Sequence, residues 1–328
     1  MSTDERQWSW RWAMDRETTL RMTVVDRRPL ADGVVGLVLA SPDQAVLPAW
    51  RPGAHVDLEP EGGLVRQYSL CGDPANADRW DVAVLRVEDG RGGSAWIHDK
   101  LEAGDELKVR GPRNRFELEP AESYQFIAGG IGITPILPMI RAAEMAGADW
   151  RLSYGGRSLS TMAFLPELAT YRDRVTILPQ DETGILDLGE LLGEPAPGRR
   201  VYCCGPEGLL AAVERAMSER PGESLHVERF SPKEPVDTSG TAFEVEVAST
   251  GQRVTVHEGQ SIIDALGEVG VSVDFSCREG TCGTCETGVL DGVPEHRDSV
   301  LTAEEQAGND CMMICVGRCV RGPLVLDL

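Results

Sequence analysis

The chain has 328 residues, 41% of them hydrophobic and 26% charged, and a formal net charge of −21. That length is more than one hydrophobic core comfortably serves and predicts two or three globular domains, while the acidic balance argues against nucleic acid and anionic membranes as partners. No apolar run approaches the roughly 18 residues of a membrane span, and the opening MSTDERQWSWRW lacks the apolar core of a secretion signal. A cytoplasmic, thiol-reducing setting is therefore expected, in which nine cysteines serve as metal ligands, reactive groups or core residues rather than as disulfides.

In chain order, residues 1–17 form an N-terminal extension with Trp8, Trp10 and Trp12 on alternate positions. It reads as an added edge strand packed on the neighbouring domain, with a partner-docking arm or a dimer contact as the other options. Residues 18–118 carry short alternating stretches, PGAHVDLEP, DVAVLRVE and DELKVRGP, punctuated by Gly and Pro, the pattern of a small antiparallel β-barrel. Within them LVRQYSLCG brings Arg66, Tyr68 and Ser69 together. An arginine can meet phosphate, an aromatic ring can cover a planar ligand ring, and a hydroxyl can reach a ring nitrogen. GRGGSAWIHD then sets Gly92, Gly93 and Ser94 at the start of a helical stretch, a second place where backbone amides can cradle phosphate.

Residues 119–230 change character. YQFIAGGIGITPILPMIRAAEMAG places an apolar strand, 124–128, before Gly129, Gly130 and Gly132 and an amphipathic helix. Strand, glycine turn and helix N-terminus make an anion site for a pyrophosphate, although Pro135 stands where the third glycine of G-x-G-x-x-G would be. WRLSYGGRS, RVTILPQ and RRVYCCGPEGLLAAVERAM continue the alternation. They predict an α/β domain with a doubly wound parallel sheet, its ligands at the carboxyl ends of the strands and Cys204 and Gly205 at one such end. No Asp or Glu ends the WRLSYGG strand to take a ribose 2′-hydroxyl; Arg157 with Ser158 can instead take a 2′-phosphate, which leaves NADH against NADPH open. Residues 231–240, SPKEPVDTSG, are polar and rich in Pro, Ser and Gly, the composition of a linker.

The last stretch, 241–328, holds six of the nine cysteines. Its AFEVEVASTGQRVTVHEGQSIIDALGEVGVSV alternates twice around a turn near 249–252 and then shifts to helical periodicity from Ser261. In SCREGTCGTC, Cys277 and Cys282 leave four residues between them and Cys282 and Cys285 leave two, while Cys315 lies 30 positions further on. That is the C-x4-C-x2-C…C spacing of a plant-type [2Fe-2S] cluster, with Gly280 and Gly283 free to curl the backbone around it. Structural zinc, which also takes four thiolates, is the alternative, but its ligands usually come as two C-x2-C pairs. Cys311 and Cys319 flank Cys315 and compete as fourth ligand; their plainer reading is as core or surface thiols.

The order of parts, and the motifs GRGGS, RQYS, GGIGITP, YCCGP, HRDSVL and CVGRC…LVLDL, resemble the phthalate dioxygenase reductases and the closely similar vanillate demethylase reductases over residues 18–328. Reductases with an N-terminal ferredoxin fit less well. The resemblance implies a β-grasp ferredoxin domain at the C-terminus and FMN held by Arg66, Tyr68, Ser69, Gly92, Gly93, Ser94 and Thr134. It implies a nicotinamide nucleotide on Gly130, Gly132, Cys204 and Gly205, with Cys204 and Ser69 at the reacting rings. Phe230 in HVERF either packs near the flavin or belongs to the core. By family the donor is NADH, and electrons run from it through FMN and the cluster to a Rieske-type terminal oxygenase. A same-architecture reductase serving a cytochrome P450, and a non-turnover redox sensor or zinc-bearing scaffold, are the rival readings.

Overall fold

A computed structural model describes residues 18–59, 65–88, 90, 92–233 and 235–328. The tryptophan-bearing extension expected at 1–17 lies outside the described residues. The chain divides into two compact units, Met1–Glu228 and Arg229–Leu328.

The first unit contains two sheets. Strands β1 (Thr18–Ala31), β2 (Val34–Ala40), β3 (Ala54–Glu59), β4 (Arg66–Ser69), β5 (Arg79–Leu85) and β6 (Glu106–Asn114) form an antiparallel sheet in the order β4-β3-β6-β1-β2-β5. Alternation does the sorting: in β6 every second residue is buried, so Leu107 and Val109 turn inward beside Met22, Val56, Leu58 and Trp80. Each such fully buried aliphatic side chain contributes about 1.5–3 kcal/mol. An antiparallel bridge between Leu70 and Val82 links the end of β4 to β5, so the two edges of the sheet meet in a barrel.

Strands β7 (Ser123–Gly129), β8 (Asp149–Gly156), β9 (Val175–Pro179), β10 (Arg200–Cys204) and β11 (Ser224–Glu228) form the second sheet, wholly parallel, in the order β11-β10-β7-β8-β9. Helices cover both faces. Phe126, Tyr202 and Cys204 pack with Ile136, Met139 and Ile140 of the helix Ile133–Met145, while Ile127, Val201 and Cys203 pack with Leu210 and Val213 of the helix Glu207–Met217. That is why these strands read as continuous apolar runs. The strand order reverses beside β7, which places a crevice at the carboxyl ends of β7 and β10. Arg141, on the first of those helices, ties sheet to barrel: its Nη1 donates to the carbonyls of Cys71 (2.8 Å) and Gly72 (2.6 Å).

The second unit is a five-stranded sheet, β12 (Phe243–Val247), β13 (Gln252–Val256), β14 (Glu286–Glu295), β15 (Cys311–Met313) and β16 (Arg318–Leu326), in the order β13-β12-β16-β14-β15. The hairpin β12–β13 is antiparallel, and β12 runs parallel to β16. The helix Ile262–Glu268 starts where Ser261 Oγ accepts the Asp264 N–H (3.1 Å) and buries Ile262 and Leu266 against Val245, Val256 and Leu324.

Candidate functional site

Strand β4 is the RQYS motif itself. Successive strand residues face opposite sides, so Arg66 and Tyr68 share one side and Ser69 takes the other. Tyr68 leans on the barrel core, and burial pushes its phenol well above the usual range. Arg66 lies against the start of the helix Gly93–Lys100, where a Cβ on Gly93 would come within 2.5 Å of Arg66 Cγ. Gly92 just before it has φ 88, a left-handed backbone that glycine adopts without strain. Ser94 Oγ accepts the Val87 N–H (3.1 Å) and fixes the turn that leads into this helix.

On its own side, Ser69 is buried beside His55, its cross-strand neighbour. Burial, with the Arg113 charge, pushes the His55 pKa down to about 3, so the ring is neutral. Ser69 Oγ donates to Glu228 Oε2 at 3.4 Å, and Cys204 Sγ lies 4.0 Å from the same oxygen. The parallel register sets Cys204 beside Glu228 on one flank and Ala128 on the other. Cys204 is fully buried, and that burial, followed by the nearby Glu228 carboxylate, pushes its thiol well up; it stays protonated. Burial likewise raises Glu228 to about 8, against the opposing pull of the Ser69 hydrogen bond. Glu228 escaped the sequence reading, which took Phe230 from the same HVERF. The available signal was an acid ending a strand of a parallel sheet, where ligands gather. Phe230 belongs to the second unit and is 47% exposed.

The glycine turns are close-fitted. A Cβ on Gly132 would collide with the Cys204 carbonyl, and one on Gly205 would lie 3.0 Å from Gly129 Cα. Gly130 has φ 55 and open space where a side chain would be. Thr134 is buried with its hydroxyl donated to Ile131 O (2.9 Å), so it braces the turn from within. Arg157 is exposed just past β8, and its carbonyl accepts the Asp181 N–H (3.1 Å).

In the second unit Cys277, Cys282, Cys285 and Cys315 are all buried. The Cys315 thiol is within hydrogen-bonding reach of Cys277 and Cys285, and that of Cys282 is within reach of Cys277. Among the described residues no group of three or more His, Cys, Asp or Glu side chains is gathered closely enough to hold a single metal ion. Loop amides point at sulfur: Glu279 N (3.2 Å) and Thr281 N (3.5 Å) at Cys277 Sγ, Thr284 N (3.5 Å) at Cys282 Sγ. Gly280 (φ 68) and Gly283 (φ 75) make the curl, and a Cβ on Gly280 would meet Val316 Cγ2 at 2.7 Å. Arg278 holds a left-handed φ of 59 just before them, its guanidinium 4.2 Å over the Phe275 ring and 2.7 Å from Asp264. Cys311 and Cys319 sit on the sheet strands β15 and β16, opposite Gly288 and Pro294.

Residues 245–320 match the family described as a 2Fe-2S iron-sulfur cluster binding domain. The chain is 42% identical over 300 residues to the phenoxybenzoate dioxygenase subunit beta of Ectopseudomonas oleovorans, across 91% of this chain and 94% of that one. Among solved structures it is similar to phthalate dioxygenase reductase, a modular structure for electron transfer from pyridine nucleotides to [2Fe-2S], with TM-score 0.69 and 34% identity over 94% of this chain and 98% of that one. It is also similar, with TM-score 0.88 and 42% identity, to an intact type IV self-sufficient cytochrome P450 monooxygenase, of whose length it spans 41%. Matched from barrel to cluster domain, the chain belongs to the phthalate dioxygenase reductase family, the flavin iron-sulfur oxidoreductases that pass electrons from NAD(P)H through FMN and a [2Fe-2S] cluster to an oxygenase component.

Proposed function

We propose that hydride transfer takes place where Ser69, Cys204 and Glu228 converge, with Arg66, Gly92, Gly93 and Ser94 at the flavin phosphate, Tyr68 at its ring, and Gly130, Gly132 and Gly205 along the dinucleotide. The observation that carries this is the meeting of a barrel hydroxyl and a sheet thiol on one carboxyl oxygen, Glu228 Oε2. Nicotinamide supplies two electrons as hydride, the cluster accepts one, and FMN bridges the two regimes. The side chains hold the geometry and the proton. Glu228 keeps its proton up to about pH 8, and its Oε2 accepts the Ser69 hydroxyl. Cys204, neutral and wholly buried, fills the floor of the contact and excludes water. Thr134 supports the glycine turn from below, and Arg157 borders the adenosine end, so NADPH is to be tested beside the NADH that family likeness favours. Residues 18–118, 119–230 and 241–328 are the proposed working modules.

Cys277, Cys282, Cys285 and Cys315 are the proposed cluster ligands, and a Rieske-type oxygenase is the proposed acceptor. A relative matched along 94% of its length that is named a dioxygenase subunit supports that choice. So does the potential: plant-type clusters lie near about −400 mV and Rieske centres between about −150 and +300 mV, a downhill step of roughly four decades or more at ~59 mV per decade. A P450 acceptor is the second reading, favoured by the likeness to the self-sufficient P450 protein. The test is anaerobic titration with NADH and with NADPH, followed by presentation of the reduced protein to Rieske and P450 acceptors. Preferential oxidation by a P450 would overturn the Rieske assignment. Within the site, Cys204→Ala is expected to slow flavin reduction without loss of FMN; an unchanged rapid-reaction rate removes Cys204 from the contact.

A further inference from the structure

Segment 296–301, HRDSVL in the sequence, leaves β14 and turns toward the helix Ala303–Gly308. It backs the cysteine loop. Ser299 N donates to Gly280 O at 2.8 Å, and a Cβ on Gly280 would lie 3.0 Å from Asp298 Cα and 3.1 Å from Asp298 Cβ. Gly280 stands between Cys277 and Cys282, so Asp298 is packed against the backbone that joins two of the proposed ligands. Val300 and Leu301 pack on the core that holds Cys285 and Cys315.

The two oxygens of Asp298 are used differently. Its Oδ2 accepts the N–H groups of Val300 (3.1 Å) and Leu301 (2.8 Å), which closes the turn. Its Oδ1 is buried without a hydrogen bond, 3.8 Å from His296 Nδ1, a buried atom that also lacks one. That gap is too long for a hydrogen bond. At its other nitrogen the His296 ring lies 3.2 Å from Asn309 Oδ1. The Asp298 side chain is 1% exposed, and among the described residues no lysine or arginine pairs with it. Closing the turn takes one acceptor oxygen, which asparagine or serine also carries. The turn therefore accounts for Oδ2 and leaves the charge and the bare Oδ1 without a reason, although a buried polar atom of this kind is costly.

We infer that Asp298 sets the reduction potential of the cluster: its carboxylate opposes the arrival of an electron and holds the couple low. This rests on the cluster ligands proposed above. Reduction adds one electron to the cluster, lost by the flavin, and the carboxylate acts without moving a proton. Such potentials respond to net charge, to hydrogen bonds on sulfur and to solvent exposure. The amides of Glu279, Thr281 and Thr284 favour the added electron, and Asp298 works against it. Within ~10 Å, at an effective dielectric of ~20, one unit charge changes a one-electron equilibrium by about tenfold or somewhat more. A cluster held low in this way hands its electron on more readily and draws it from flavin less readily.

Redox titration of the full-length, FMN- and cluster-loaded protein, with the reduced-cluster EPR signal followed against potential, tests the inference. Asp298→Asn removes the charge and keeps an oxygen for both amides. Iron content and EPR line shape are expected to be unchanged, and the cluster midpoint to rise by the equivalent of about tenfold, ~59 mV for one electron, with the flavin midpoint unmoved. Asp298→Ser, neutral and with a hydroxyl oxygen for the same amides, should shift the midpoint equally and decides the matter if the asparagine variant loads its cluster poorly. Stopped flow gives a second reading: flavin bleaching by NADH should keep its rate while the flavin–cluster equilibrium moves about tenfold toward reduced cluster. A native midpoint in a loaded variant makes Asp298 a turn-closing residue alone and overturns the inference. Absence of a reduced-cluster EPR signal from the unaltered protein would instead overturn the proposed ligands.

Discussion

In the second unit three of the four proposed cluster thiols come from one short loop, Cys277 to Cys285, and the fourth from Cys315. In the first unit Ser69 and Glu228 meet from 159 positions apart, and Cys204 and Glu228 from 24. The first arrangement is set by local backbone conformation, through Gly280, Gly283 and the amides around Cys277. The second is only as accurate as the packing of barrel on sheet, which Arg141 bolts through two carbonyls. A local ligand set should fail all at once when a ligand is lost, whereas a distributed site should fail by degrees as its halves drift, since small misplacements weaken near-attack geometry.

The largest effect should come from the local site. Cys315→Ala is expected to abolish cluster iron, the reduced-cluster EPR signal and reduction of a protein acceptor, with flavin reduction by NADH intact; Cys311→Ala and Cys319→Ala should retain most of the cluster. Survival of the cluster without Cys315 would break the comparison at its firmest point. Next is Gly132→Ala, whose methyl would strike the Cys204 carbonyl. Rigid backbone on both sides predicts a loss of about 1–3 kcal/mol in stability by thermal melting and flavin reduction slowed by roughly a hundredfold.

Glu228→Gln sharpens the comparison through pH. Burial raises the Glu228 pKa from 4.5 to about 8, so the folded state holds a proton across that window which the unfolded chain has released. Its protonated form is present below about pH 8 and lost above, and the cost of burying the carboxylate is absent below about pH 4.5 and complete above about 8. Flavin reduction in the native protein should therefore slow above pH about 8, while Glu228→Gln, roughly 10- to 100-fold slower, should show a flat profile. The native protein should also lose stability relative to that variant between those two pH values, by denaturant titration. A native profile without a break near pH 8 removes Glu228 from the proton path. Arg141→Ala, which loosens the bolt and touches neither ring site, should slow flavin reduction by about two- to tenfold with the cluster unaffected. The smallest change is expected for Arg278→Gly. Relief of the left-handed φ, about 1–2 kcal/mol, offsets an exposed ion pair with Asp264 of about 0–1 kcal/mol, so melting temperature and cluster content should barely move.

The same contrast explains what was legible in the sequence. Cysteine spacing, the RQYS strand, the glycine turns and the alternation of strands and helices are local signals, and the sheets follow them. The bridge from Leu70 to Val82 that closes the barrel has no local signal. Nor does Glu228, an acid in an alternating strand whose hydrogen-bond partner is a serine 159 positions earlier. The Thr134 hydroxyl, which the family likeness sets at FMN, donates to Ile131 O through a turn geometry that composition does not report. The segment before β12 is anchored in the same hidden way: its polar, turn-rich composition is genuine, while the arginine that donates to the Thr238 carbonyl is 80 positions away.

With Gly205 lacking the side chain that would hold it off Gly129, and Gly132 set against the Cys204 carbonyl, the two turns proposed to face the dinucleotide are closely fitted to each other. A cradle of this kind cannot part its own walls to admit a ligand, and the chain entropy that an open loop would surrender on binding has already been surrendered in folding. Nucleotide binding, followed by calorimetry, should then show a heat-capacity change that matches the surface covered by the ligand alone, without the larger negative value that accompanies the ordering of a loop.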